Sequence, residues 1–391
     1  MSLKKNYRSV FIFALLVGIS FMTEANAESA VAGGAAQEPK PEKAIKILIV
    51  PGHDGISSGA SFHGVREADL NMEMSKELFD LFRDDKKFDV MLARNGIFFT
   101  NVFQNYFTEK KADILEFIRA HEEAMDNFIQ RGLVEVHQSV PHNRAPDDTR
   151  LKLFGINKWV NENGIDLVIH VHFNEYRNGT ATKTGKYSGF VIYVPEKQYP
   201  NATATMPIAQ SVYDRLTLFF AQSDMPEESA GVVEDQELIA VGASKSLDTA
   251  AAMLIEYGYL YEPQFIDEKI RPLAFKKLAA QTYLGIQKYF NKEYSEPDKS
   301  AGFPYQWKRN VSLKMKNDKD VFALQIALTE ENLYPPKNKS KNDCPASGYF
   351  GNCTLLAVKQ FQKKYNIPQT GFVGKLTRKK LNALYGGIND A

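Results

Sequence analysis

The sequence predicts an α/β protein: a twisted, mostly parallel sheet with helices on both faces, followed by a small C-terminal three-helix domain. Three observations lead there. Short apolar runs of strand type alternate with amphipathic segments of helical period between Ile45 and Phe290. Polar residues capable of chemistry stand where such runs end or just beyond, at His53, His172 and Glu256, and ligands of α/β sheets bind beyond the carboxyl ends of strands. From Val311 the alternation stops and three short helical patterns follow.

The elements follow in order. Lys4, Lys5 and Arg8 precede the apolar stretch Val10–Met22, and Ala25-Asn26-Ala27 has the form of a cleavage site, so residues 1–27 read as a secretory signal peptide. The stretch is well short of the ~20 residues that span a bilayer. Residues 28–44 are rich in Ala, Gly, Pro and Glu and read as a flexible linker. Ile45–Val50 is a strand. In Asp69–Phe82, Leu70, Met74, Leu78 and Leu81 recur at helical spacing. Phe88–Ala93 is a strand, Leu151–Asn161 a helix, Leu167–His172 a buried strand and Gly189–Val194 another. Ile208–Phe220 reads as helix, Ala251–Ile255 as strand and Leu273–Phe290 as helix. Residues 95–149 are an insertion far longer than connections in such folds, with an amphipathic centre at Ala112–Gln130. It reads as a helical lid, a partner-docking element on which an activator protein would act, or a regulatory plug; the alternative is an inert helical decoration packed on the side of the domain. Residues 293–309 read as a linker or docking strap, and 310–387 as a domain with helices at Asp320–Leu328, Thr354–Tyr365 and Leu376–Leu384. A core that small gains from a staple. Cys344 and Cys353, the only cysteines, suit a disulfide in an exported protein, contributing roughly 2–3 kcal/mol by loop closure.

At 391 residues two domains are expected. The net charge of +1 does not suggest nucleic-acid binding, and no phosphate-binding glycine string or nucleophile elbow occurs. The charge is uneven. From Lys308 onward there are 15 Lys/Arg and 6 Asp/Glu, so 15 − 6 = +9, which leaves 1 − 9 = −8 for the rest. A basic tail on an acidic body suits an anionic polymer, although a solvated lysine-rich face has the same composition.

His53, Glu67, His172 and Glu256 carry the chemistry. Two imidazoles and a carboxylate hold a zinc ion with one position open to water, and a further carboxylate can take that water's proton. His53 lies in PGHDG, a turn that aims its ring outward, although such histidines are often plain surface residues. Glu67 opens a helix, where a carboxylate also serves the macrodipole. His170 and His172 share a strand face, ~6.5 Å apart along it, so only one is expected at the metal. His172 is nearer the carboxyl end and Asn174; His170 would then sit behind it, and the choice stays open. Glu256 follows an apolar run, where a carboxylate needs a reason, either catalysis or a buried pair with Arg94 or Arg150. His63 precedes Glu67 and is a candidate to face substrate. His121 reads as core, and His137 and His142 fall in an irregular polar stretch.

On these residues the chain resembles the zinc-dependent N-acetylmuramoyl-L-alanine amidases of the Amidase_3 family. The matching positions are Pro51, Gly52, His53 and Gly55; Glu67 in READLN; His172 and Asn174; and Leu254, Ile255, Glu256 and Gly258. They span about Ile45 to Asn291, within a catalytic domain at 45–292. Val311–Tyr385 is similar to the three-helix peptidoglycan-binding module, through Asp320, Val321, Leu324 and Gln325, then Gly348, Phe350, Gly351, Thr354, Ala357, Val358, Phe361 and Gln362, then Gly371, Val373 and Thr377. His170 stands where the family has a small polar residue, Asp54 enters the glycine turn, and 95–149 is extra. The resemblance implies hydrolysis of the amide between the lactyl group of N-acetylmuramic acid and L-alanine of the stem peptide. Zinc would sit on His53, Glu67 and His172 and Glu256 would be the general base. Asn174 and His63 would meet substrate, with His170 and Arg94 behind the ligands. It also implies an exported protein, periplasmic or extracellular, with peptidoglycan as partner. A zinc peptidase cutting within the stem peptide and a non-catalytic wall-binding protein are the alternatives.

Overall fold

The computed structural model describes residues 43–137, 140, 142, 144–175, 182–291, 293–295 and 303–386. The leader 1–27 and most of the linker 28–44 lie outside the described residues. The strands are β1 (Ile45–Pro51), β2 (Ser61–Phe62), β3 (Val65–Arg66), β4 (Phe88–Leu92), β5 (Arg94–Asn95), β6 (Phe98–Phe99), β7 (Leu167–Asn174), β8 (Val191–Pro195), β9 (Val232–Asp235) and β10 (Ala251–Tyr259). The helices are α1 (Glu67–Arg83), α2 (Asn101–Glu109), α3 (Lys111–Gln130), α4 (Asp147–Asn163), α5 (Ala202–Leu216), α6 (Pro263–Ile266), α7 (Arg271–Phe290), α8 (Lys319–Glu330), α9 (Asn352–Lys364) and α10 (Lys375–Tyr385). No helix among the described residues is long and apolar enough to cross a membrane.

Six strands form the central sheet in the order β4-β1-β7-β10-β8-β9. Every pairing is parallel except β10 with β8. The mostly parallel sheet predicted from the alternation is therefore present. Parallel central strands are buried on both faces and read as unbroken apolar runs, as Ile47–Val50 and Leu167–Ile169 do. Side chains alternate across the sheet. Ile47, Ile49, Leu167, Ile169, Val171, Met253 and Ile255 meet α1, α5 and α7 on one face. Leu48, Val50, Val168 and Ala252 meet α2, α3 and α4 on the other.

The insertion belongs to that second core. Phe103 and Phe107 of α2 and Ile114 and Ile118 of α3 are buried with Phe154 and Trp159 of α4. The insertion is thus helical and packed against α4 on one side of the sheet.

Some boundaries differ from expectation. α5 begins at Ala202, before Pro207. The expected helix was Ile208–Phe220; it starts earlier, with Pro207 accommodated inside it, and ends at Leu216. β9 and the β2–β3 and β5–β6 hairpins are too short to announce themselves by periodicity. Glu256 lies inside β10, which runs on to Tyr259 past a register shift.

The C-terminal module is tied together by two buried glutamines. Gln325 Nε2 donates to Thr354 Oγ1 (3.1 Å) and Tyr349 O (3.0 Å), while its Oε1 accepts from the Ser347 and Gly348 amides. Gln362 repeats the device, donating to Thr377 Oγ1 (3.1 Å) and Phe372 O (2.9 Å) and accepting from the Gly371 amide. Cys344 and Cys353 are disulfide-bonded. Upstream, Trp307 is buried, donates to Asp320 O from its indole and exchanges bonds with Asn382. Residues 303–309 thus pack as a strap on the module.

Candidate active site

Three adjacent parallel strands deliver the site. Gly52 N extends the β1–β7 ladder to Val171 O (2.9 Å), which leaves His53 just beyond the strand end. His172 lies opposite Glu256 in the β7–β10 register. Glu67 is the first residue of α1, swung back by the β2–β3 hairpin, and its amide donates to Ala60 O (2.9 Å). Glu67 then bridges the imidazoles, with Oε2 3.0 Å from His53 Nε2 and Oε1 3.1 Å from His172 Nδ1. The donor atoms of His53, Glu67 and His172 all lie within 4.8 Å of one another.

The cradle is shaped for this cluster. A Cβ on Gly52 would stand 2.3 Å from the His172 ring, and one on Gly59 (φ +69°) 2.4 Å from Glu67 Oε2 and 2.7 Å from His53 Cδ2. His53 itself has φ +59°, a left-handed conformation costing about 1–3 kcal/mol at a non-glycine residue. Asp54, a departure from the family pattern, holds that turn: Oδ1 accepts the Ile56 and Ser57 amides (2.8 and 2.7 Å), and Oδ2 meets Lys152 Nζ of α4 (3.1 Å).

Electrostatics distinguish the members. Burial pushes the Glu67 carboxyl up, but bonds from His172 and His53 outweigh it and hold it far below the usual carboxylate range. The two imidazoles answer the same partner oppositely. At His172 burial wins and the value falls; at His53, nearer solvent, Glu67 overcomes burial and the value rises. Burial brings His170 down to about 3, so this histidine is neutral. Burial, then the charges of Glu67 and Glu228, raise Glu256 well above the carboxylate range. Its Oε2 is shut from solvent and has no partner among the described residues, so the alternative of a pair with Arg94 or Arg150 is not realised. Arg150 meets Glu122, and Arg94 donates to Gly52 O (3.2 Å), Ala68 O (2.9 Å) and Gly96 O.

The other predicted residues fall around this centre. His172, not His170, joins the cluster; His170 is deeper, with Nε2 unpartnered among the described residues. Asn174 donates to Glu228 (2.9 Å). His63 is exposed in the β2–β3 turn, its ring against Phe62. His121 contacts Ser244 O (3.3 Å), and His142 contacts Asp235 (2.8 Å). Sequence reasoning missed Asn71, one turn after Glu67, which donates to Gly52 O (3.0 Å) and faces Glu67 Oε1 (3.4 Å). It also missed Glu228. A cavity of about 720 Å³ opens beside the cluster, lined by His53, His170 and His172 and, from α3, by Glu122, Met125 and Ile129.

The Amidase_3 model, N-acetylmuramoyl-L-alanine amidase, matches residues 47–288, more than half of the 391-residue chain. The chain belongs to the N-acetylmuramoyl-L-alanine amidase family. The peptidoglycan binding domain model matches residues 317–381 of the same amidase. It is accordingly a peptidoglycan hydrolase carrying a wall-binding module. Solved structures similar to it include the N-acetylmuramoyl-L-alanine amidase of Clostridium difficile 630, at 17% identity over 65% of this chain and 100% of that one (TM-score 0.40). AmiC2 of Nostoc punctiforme is similar at 16% identity over 63% and 98% (TM-score 0.39). The CwlD amidase of Clostridioides difficile, solved in complex with the GerS lipoprotein, is similar at 16% over 63% and 98% (TM-score 0.40). No curated protein matches this amidase.

Proposed function

We propose that the amidase cleaves the lactyl–L-alanine amide of peptidoglycan with a zinc ion on His53, Glu67 and His172 and with Glu256 as general base. The supporting observation is the pairing of a three-donor cluster with a partnerless carboxyl of raised proton affinity across one strand register. Two imidazole nitrogens and one carboxylate oxygen are a donor set suited to zinc, and the space around them is kept by Gly52 and Gly59. Zinc bound there would supply Lewis acidity, making water easier to deprotonate and the scissile carbonyl more electrophilic.

The chain's own residues do the rest. Glu256 takes the proton of the attacking water and returns one to the leaving amine, a role served by a carboxyl whose affinity for protons lies above the ordinary range. Arg94 and Asn71 both hold Gly52 O and so fix the turn that carries His53. Asn174 and His63 are assigned to substrate. The peptide arm fits the cavity walled by α3, and an activator protein that shifts α3 would change access to it. Export to a periplasm or cell wall follows from the substrate.

The test is product analysis of digested peptidoglycan with Glu256→Ala beside the native protein. The native enzyme releases intact peptide with N-terminal alanine. The variant loses about 10²–10⁴-fold in turnover and keeps its zinc. Cleavage within the peptide would mean a peptidase instead, and undiminished turnover would remove Glu256 from the mechanism.

A further inference from the structure

Glu228 is the least explained acidic residue near the site. It ends a single turn at Pro226–Glu228 and is 1% exposed. Its carboxyl gathers four donors: Asn174 Nδ2 (2.9 Å), Tyr193 OH (2.8 Å), Tyr259 OH (3.2 Å) and Ser223 Oγ. No described lysine or arginine bonds it. A buried acid satisfied only by neutral donors is costly, and its retention needs a reason. The donors lie at the site's edge. Asn174 is two residues beyond His172 and on the same face of β7. Tyr193 pairs with Leu254 on β10, two residues before Glu256. Burial, reinforced by the Glu228 charge, pushes both tyrosines far up, so they stay protonated donors.

This arrangement decides which way the Asn174 amide points. Asn174 Nδ2 donates to Glu228 Oε1 (2.9 Å), so the –NH2 faces Glu228 and the carbonyl oxygen of the same amide turns away. Among the described residues nothing donates to Asn174 Oδ1.

We propose that Glu228 is a positioning residue: it holds Asn174 so that Oδ1 faces the substrate and accepts an N–H of the acyl-peptide. The inference rests on the amidase reading of the site. Its chemical content is that Asn174 meets substrate chiefly as an acceptor. A substrate built from acyl amides presents an N–H on each of them, so an acceptor fixed two residues from a metal ligand sets which amide lies over the cluster. Hydrogen bonds involving a charged partner are the stronger class, and their loss typically costs about 10- to 100-fold in an equilibrium or rate.

The test is a double-mutant cycle on a soluble N-acetylmuramoyl peptide. Glu228→Gln keeps the volume but no longer dictates the amide's direction. It should lower kcat/KM about 10-fold or more in the native background. In an Asn174→Ala background it should cost less than about 2-fold, because the residue it positions is gone. An equal loss in both backgrounds overturns the proposal. A second reading needs no turnover: the side-chain amide resonance of Asn174 in substrate-free protein. Glu228→Gln should shift it and speed its hydrogen exchange; an unmoved resonance in a folded variant overturns the anchor. Native protein inactive on the amide would defeat the amidase reading, while the resonance would still decide whether Glu228 holds Asn174.

Discussion

At the residue scale the site rests on a division of labour between neighbouring histidines. His172 bonds Glu67 and faces His53, with ring centroids 5.2 Å apart. His170, one strand repeat deeper, is fully enclosed and neutral. His172→Ala should therefore abolish stoichiometric zinc binding, and His170→Ala should leave it near one per chain, both measurable by metal analysis after gel filtration. Zinc lost equally from both variants would put His170 among the ligands. The sequence could not separate the two, because period-two alternation puts both on one face. It did point to His53, Glu67, His172 and Glu256, since each breaks an apolar run or flanks a glycine turn. Asn71 and Glu228 carry no such mark. The first sits in an ordinary helix pattern and the second in a polar loop, and only tertiary contacts give them a partner.

At the element scale the insertion is the feature that most changes with structure. An amphipathic helix is legible from its period, but not the surface it will meet. Here α2 and α3 complete the core above β1 and β7, so deleting 98–147 would strip Phe154 and Trp159 of their cover. α2 is further pinned to α4 where Tyr106 donates to Glu162 (2.6 Å), which Lys158 also meets. Burial pushes the Glu162 carboxyl up, but the bonds from Lys158 and Tyr106 outweigh it and hold it below its ordinary value. A carboxyl depressed in the folded state stabilises above its unfolded value and ceases to as pH falls through the folded one. Because Glu162 is largely exposed, the contribution is below about 1 kcal/mol. Glu162→Gln should lower the melting midpoint slightly at pH 7, and the deficit should shrink as pH falls through the folded value, read by thermal scans. A deficit that does not shrink with falling pH would mean lost packing, not lost charge. α5 starts at Ala202, six residues before the expected Ile208, and β9 is too short to show a period.

At the scale of the molecule, the wall-binding module is docked on the catalytic body. Lys277 of α7 is 1% exposed, meets Glu330 of α8 at 2.7 Å and lies 3.6 Å from the Phe219 ring centre. Phe303 and Ile270 continue one apolar core from body to module. A fixed module sets where the site falls relative to the bound polymer, beyond raising local concentration as a loose tether does. Removing one partner of a buried pair costs about 3–5 kcal/mol, less here because Glu330 keeps some exposure. Lys277→Ala should loosen the dock and enlarge the radius of gyration in small-angle scattering, with each domain's own fold intact. An unchanged radius would assign the docking to the apolar contacts. Two domains and a basic tail were expected from the sequence, but a single buried lysine in a helical pattern gave no sign of an interface.

The central claim is that one metal ion sits between His53, Glu67 and His172. It is tested most directly by anomalous diffraction at the zinc edge from crystals of the active enzyme. The account predicts a single peak within bonding distance of His53 Nε2, His172 Nδ1 and a Glu67 oxygen. A peak centred elsewhere, or active crystals with none at that position, would contradict it.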